Sequence, residues 1–226
     1  MVIGALADIH GNFDAMTEAM ERHPEVPLWL CVGDLASRSG AYPEPVKPLY
    51  WIKGNNENFD RIAEFEAGTA RVANLHFIAN GTAVEAGPLR VAGLGGTFAP
   101  TWFDTPASRL PHTPRDDKRR HFVREEVEAC ARLGGADILM THEAPRPFIL
   151  VDPQTPGTAR PRRRDAGRPA INEVLAALQP RLHLCGHHHR FSETEREGVR
   201  SVCIDRVNRS YLLIDAATLE YDKIDQ

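Results

Sequence analysis

Val2-Ile3-Gly4-Ala5-Leu6-Ala7-Asp8-Ile9-His10-Gly11-Asn12 decides the reading of this chain, because an apolar run as long as a buried strand ends in a carboxylate and an imidazole two residues apart. The same grammar recurs four times. Leu28 to Val32 leads into Gly33-Asp34, Leu49 to Ile52 into Gly54-Asn55-Asn56-Glu57, Ile138 to Met140 into Thr141-His142, and Leu182 to Cys185 into Gly186-His187-His188-His189. In open α/β sheets ligands bind at the carboxyl ends of strands, so blocks far apart in sequence can meet on one rim. Together they offer seven hard or borderline metal ligands, enough for two divalent cations sharing a carboxylate.

The 226 residues, 42% of them hydrophobic, can bury roughly 70% of the surface the unfolded chain exposes, as expected for one domain over residues 1–226. A formal charge of −4 neither requires nor excludes a polyanionic partner, so local charge must decide. Cys31, Cys130, Cys185 and Cys203 sit in apolar contexts without paired spacing and read as reduced core residues. With no leader pattern and no apolar run near the roughly 20 residues of a membrane span, a cytoplasmic protein is expected.

Strands and helices alternate, with helices expected near Phe13 to Arg22, Phe59 to Phe65, Asp116 to Leu133 and Pro169 to Leu178. Strands are expected over Leu75 to Ile78, Thr82 to Ala86, Leu89 to Leu94, Ser201 to Ile204, Tyr211 to Ile214 and Leu219 to Ile224. Two long irregular segments, 95–115 and 151–168, are expected to overhang the rim.

In their order, the five blocks resemble the signature of the calcineurin-like metallophosphoesterase superfamily, over about four fifths of the chain. The resemblance implies an α/β fold, a four-layer αββα sandwich of two mixed sheets flanked by helices. It also implies that Asp8, His10 and His189 hold one ion, that Asn55, His142 and His187 hold a second, and that Asp34 bridges them. Alternation along an extended chain would place Asp8 with His10, and His187 with His189, on common faces and turn His188 away. His188 is therefore left out as a ligand; it faces solvent, supports the ligands, or touches the phosphate.

A nitrogen and oxygen ligand set without thiolate suits Mn²⁺, Fe, Co²⁺, Ni²⁺ or Zn²⁺, with Mn²⁺ the first expectation. The pocket would be net positive, fit for a phosphate ester attacked by a hydroxide bridging the two ions. One position departs from the family pattern: Asn56 stands where His is usual. An amide cannot protonate a leaving oxygen, although it can still bind phosphate, so catalytic roles fall to Asp34 and Asn56 and the expected activity is that of a phosphodiesterase.

Asn12 is a candidate phosphate contact or a helix cap, and Arg38 a phosphate clamp or a solvated loop residue. Glu57 is expected at a helix start, where its charge suits the dipole. Trp102 and Phe103 could stack a base or plug the sandwich edge, while Arg160, Arg162, Arg163, Arg164 and Arg168, with Lys118, Arg119 and Arg120, could meet a nucleic-acid backbone. The layout loosely resembles lariat-debranching members of the superfamily, a likeness too general to fix the substrate. Three functions stay open: a phosphodiesterase on a nucleotide or nucleic-acid diester, a phosphomonoesterase or pyrophosphatase on a small metabolite, and a binding scaffold without chemistry.

Overall fold

The computed structural model describes residues 1–113, 115–151 and 163–226, with the side chain of residue 163 left aside. Its first half is a run of parallel crossovers: β1 (Val2–Leu6), α1 (Phe13–Arg22), β2 (Trp29–Cys31), β3 (Leu49–Trp51), α2 (Phe59–Glu66) and β4 (Leu75–Phe77). A tight hairpin, β5 (Thr82–Ala86) and β6 (Leu89–Leu94), opens a second sheet. Short pairs follow in the irregular segment: β7 (Thr97–Phe98), β8 (His112–Thr113), β9 (Asp116–Asp117) and β10 (His121–Phe122). Then come α3 (Arg124–Ala131), β11 (Ile138–Thr141), β12 (Ile149–Val151), β13 (Arg163–Asp165), α4 (Pro169–Leu178), β14 (Leu182–Cys185), β15 (Ser192–Arg196), β16 (Val199–Cys203), β17 (Ser210–Asp215) and β18 (Tyr221–Asp225).

Two six-stranded mixed sheets result, ordered β18-β17-β1-β2-β3-β4 and β15-β16-β14-β11-β6-β5. Strand alternation sorts their side chains into layers. Ile3, Ala5, Leu30 and Val32 of the first sheet meet Val91, Ile138, Met140, Leu182 and Leu184 of the second in the central core. On the outer face of the first sheet, Leu6, Trp29, Cys31, Leu49 and Trp51 pack with Met16 and Met20 of α1 and Phe59 and Ile62 of α2. Across the molecule, Ala92, Leu94 and Leu139 pack with Val127 and Cys130 of α3 and Ile171, Val174 and Leu178 of α4. This is the expected αββα order of layers. All four cysteines are buried and unpaired. No helix among the described residues is long and apolar enough to cross a membrane.

The helix expected over 116–133 is confined to Arg124–Ala131. Upstream, Asp117 accepts a hydrogen bond from Arg119 N at 3.0 Å and pairs with its guanidinium, while Arg120 reaches Asp116 at 3.3 Å. Such side-chain bonds to nearby backbone compete with helix formation. Phe122 instead extends beside Phe98 into the outer core. The strand Ser192–Arg196 was not expected, being the polar edge of its sheet and free of an apolar run.

Candidate metal centre

β1, β2, β3, β11 and β14 all end at one rim, and hydrogen bonds continue past their ends. Asp8 N donates to Gly33 O (3.1 Å), His10 N to Asp34 O (2.7 Å) and Gly186 N to His142 O (3.2 Å), while His187 N donates to Asp8 Oδ2 (2.9 Å). The backbone there is not extended. Asp8, His10, Asp34, His187 and His189 all have positive φ, between 49° and 68°. The shared-face argument from alternation therefore does not apply, since the strands stop at Leu6 and Cys185 and left-handed turns bring the side chains together. Each such residue costs about 1–2 kcal/mol, and strain of this kind collects at functional sites.

The turns gather Asp8, His10, Asp34 and His189 so that one ligand atom from each lies within 4.8 Å of the others. His10 Nε2 and His189 Nε2 face each other at 3.0 Å, with Asp8 Oδ1 at 3.8 Å and 3.4 Å from them respectively. Asp34 faces two ways. Its Oδ2 lies 3.6 Å from His10 Nε2, and its Oδ1 lies 3.5 Å from His142 Nε2, which also meets Asn55 Oδ1 at 3.0 Å. The His187 ring centroid is 5.1 Å from that of His142.

This arrangement fits a cation. Asp8 Oδ1 is buried with no hydrogen-bond partner among the described residues, and two imidazole nitrogens turned toward each other between carboxylates form the kind of donor set that a divalent ion of intermediate hardness takes.

Neighbouring groups hold the ligands. Close approach explains the glycines: a Cβ on Gly54 would lie 2.0 Å from Asp34 Oδ1, and one on Gly33, whose φ is +101°, 2.7 Å from His142 Nδ1. Burial works to raise the Asp34 carboxyl, but the His142 imidazole and hydrogen bonds from His142 and Asn56 outweigh it and hold the group well below the usual carboxylate range. Burial works to lower His142, yet Asp34, Asp8 and the Val32 carbonyl push it up to about 10. Asn56 gives both its backbone N–H and its side-chain N–H to Asp34, each at 2.7 Å.

Glu57 precedes α2 rather than starting it, the cap being Asn58. Its carboxylate accepts from Leu35 N (3.0 Å), Ala36 N (3.1 Å), Gly54 N (3.2 Å) and the Tyr42 hydroxyl (3.0 Å), tying the Asp34 loop to the Asn55 loop. Glu143, next to His142, accepts from Phe98 N and from Arg168 Nε (2.8 Å), and so anchors both irregular segments. Neither role has a motif; only the topology reveals it.

A groove of about 1120 Å³ runs over the first cluster. Asn12, Arg38, Asn55 and Asn56 line it, together with His112, Arg115, Arg119 and Arg120. Asn12 makes no side-chain cap bond to α1, leaving its amide to the groove. Phe103 is buried against Phe98, at a centroid distance of 5.0 Å, and neither it nor Trp102, which lies under Lys118 Nζ at 5.6 Å, is part of the groove wall. His188 keeps a buried Nε2 without a partner among the described residues. Arg160 and Arg162 lie outside the described residues. Arg206 and Asn208 also line the groove, and the sequence reading missed them because no motif surrounds them.

A sequence profile described as calcineurin-like phosphoesterase matches residues 1–191. A lariat debranching enzyme of Schizosaccharomyces pombe is 25% identical over 204 residues, covering 80% of this chain and 42% of that protein. The chain thus spans about two fifths of the length of that relative. Among solved structures, the protein TT1561 of Thermus thermophilus superimposes with a TM-score of 0.66 at 14% identity, over 99% of this chain and 98% of that one. A novel archaeal phosphodiesterase does so with a TM-score of 0.50 at 13% identity, over all of both chains. These structural likenesses establish the fold.

Proposed function

Because the chain belongs to the calcineurin-like phosphoesterase family, whose members use divalent metal ions to hydrolyse phosphate esters, we propose that it is a two-cation phosphodiesterase acting on a nucleotide or nucleic-acid diester. The observation that carries this reading is the Asp34 carboxylate, with one oxygen toward His10 and the other toward His142. Asp8, His10 and His189 with Asp34 would hold the first cation, and Asp34 with Asn55, His142 and His187 the second. Bound there, the cations would supply positive charge for the phosphoryl oxygens and acidify water for attack on phosphorus.

The chain's own residues set the geometry. Asn56 fixes the Asp34 carboxylate with two hydrogen bonds, and the Val32 carbonyl, 2.8 Å from His142 Nδ1, keeps His142 Nε2 turned to the rim. One N–H of the Asn56 amide is committed to Asp34, and the amide has no proton to transfer. A missing general acid costs most with a strongly basic leaving group and a dianionic ester, which favours the singly charged diester. The similarity to a lariat debranching enzyme supports a nucleic-acid diester as the first substrate to try.

The test is hydrolysis of an aryl phosphodiester against the matching monoester by Mn²⁺-reconstituted protein, extended to cyclic nucleotides, dinucleotides and short RNA and DNA. Diester preference is expected. A clear preference for the monoester overturns the assignment and leaves a monoesterase.

A further inference from the structure

The turn between β16 and β17 carries a cation that the metal blocks do not explain. Ile204 N donates to Cys185 O (2.8 Å) and Val207 N to Ala7 O (3.0 Å), stitching this turn to the ends of β14 and β1, which lead into His187 and Asp8. Arg206 consequently stands beside the first cluster, half-buried, in the groove that Asp8, His10, Asn55 and His189 share. Its backbone is fixed: the N–H donates to Asp205 Oδ1 at 2.7 Å, and the carbonyl accepts from Arg209 N at 2.8 Å and Ser210 N at 3.2 Å.

Its side chain is uncommitted. Nε is buried with no hydrogen-bond partner, and the guanidinium makes no ion pair among the described residues. The adjacent carboxylate that could neutralise it, Asp205, lies instead 3.7 Å from Arg209 Nη1. Of the other arginines of the groove, Arg119 is occupied by Asp117 and Asp60 and Arg120 by Asp116, while Arg38 and Arg115 are exposed to solvent. A buried N–H without an acceptor costs free energy unless something else supplies one. In a groove beside a prospective cation cluster, the missing acceptor would be anionic.

We propose that Arg206 is a substrate clamp, its Nε and Nη N–H groups gripping phosphoryl oxygens of the ester beside the first cluster. A planar fork of donors matches two oxygens of one phosphate, which a point charge cannot do. The clamp rests on the phosphoesterase reading above. Arg206 lies beyond residues 1–191, outside the part of the chain that the family profile matches.

Calorimetric binding of inorganic phosphate to Mn²⁺-loaded protein, with KM and kcat for an aryl phosphodiester, tests it in wild type, Arg206→Ala and Arg206→Lys. Bound manganese and Tm are recorded for each. Phosphate affinity should fall about 10–100-fold in Arg206→Ala, with a matching rise in KM, and by less in Arg206→Lys. Added guanidinium ion should restore part of the alanine loss, while manganese content and Tm stay at wild-type values. Unchanged phosphate affinity in Arg206→Ala overturns the clamp; should that variant not fold, unchanged affinity and KM in Arg206→Lys do the same. Wild-type protein that takes up manganese but neither binds phosphate nor cleaves any ester removes the phosphoesterase reading, and the clamp with it.

Discussion

The buried imidazole of His183 and the half-buried pair His10 and His189 at the rim differ in what satisfies them. On the outer face of the second sheet, His183 of β14 lies between Thr141 Oγ1 (2.8 Å) and Ser201 Oγ (2.9 Å). The Thr141 hydroxyl donates to Glu143 O, so it accepts from His183 Nε2, and His183 Nδ1 accepts from Ser201. Every polar atom of that ladder is used within the protein. At the rim a few residues away, His10 and His189 turn their nitrogens on each other beside an orphaned Asp8 oxygen, on strained backbone. The same side chain serves in one case as a closed structural group and in the other as an unfinished one, and the difference lies in neighbours rather than residue type.

The contrast is most vulnerable at Asp34. Replacement by Asn should remove bound manganese and lower diester turnover by at least about 10²-fold, because one lost carboxylate opens both clusters; metal analysis beside kinetics that found both intact would end the distinction. His183→Ala should do the reverse. Depriving Ser201 of its acceptor and Thr141 of its donor, and opening a cavity between them, should cost about 2–4 kcal/mol in urea unfolding, with manganese content unchanged.

Acid probes the same ladder. Burial pushes the His183 imidazole down to about 3, below its ordinary 6.5. Above pH 6.5 neither folded nor unfolded form is protonated there, and the ladder contributes fully. Between 6.5 and about 3 the unfolded chain takes a proton that the folded one refuses, so stability falls with pH by up to about 1.4 kcal/mol per unit. His183→Gln should flatten that limb in unfolding of the metal-free protein; an equal slope in both proteins would count against the closed ladder. The smallest effect is expected at His189→Gly, which relieves a left-handed residue. Its metal-free form should be no less stable than wild type, by about 0–1 kcal/mol, while manganese uptake drops. A marked loss of metal-free stability would mean that His189 is a structural group after all.

Much of this was readable beforehand, and the reasons are local. The apolar runs Val2 to Leu6 and Leu182 to Cys185, and the helices at Phe13 and Pro169, carry periodicities that tertiary packing does not need to override. The metal blocks were recognisable by order, yet the geometry attributed to them was wrong, because a sequence shows two residues of spacing and not the sign of φ at Asp8 or His189. The charged run Asp116 to Arg120 looked helical until its carboxylates found nearer partners. The roles of Glu57, Glu143 and Arg206 were invisible for a different reason. Glu57 and Glu143 find partners on loops 22 and 25 residues away, and Arg206 Nε has none among the described residues.

The order of strands in the first sheet also sets when the edge beside β1 can be covered. β17 lies antiparallel beside β1, and the turn just before it is bonded to Ala7. β1 is thus made before β17 and keeps an open edge until that later strand docks. A growing chain can assemble the sheet from β1 to β4 early, whereas the edge beside β1 is covered only once β17 has been made.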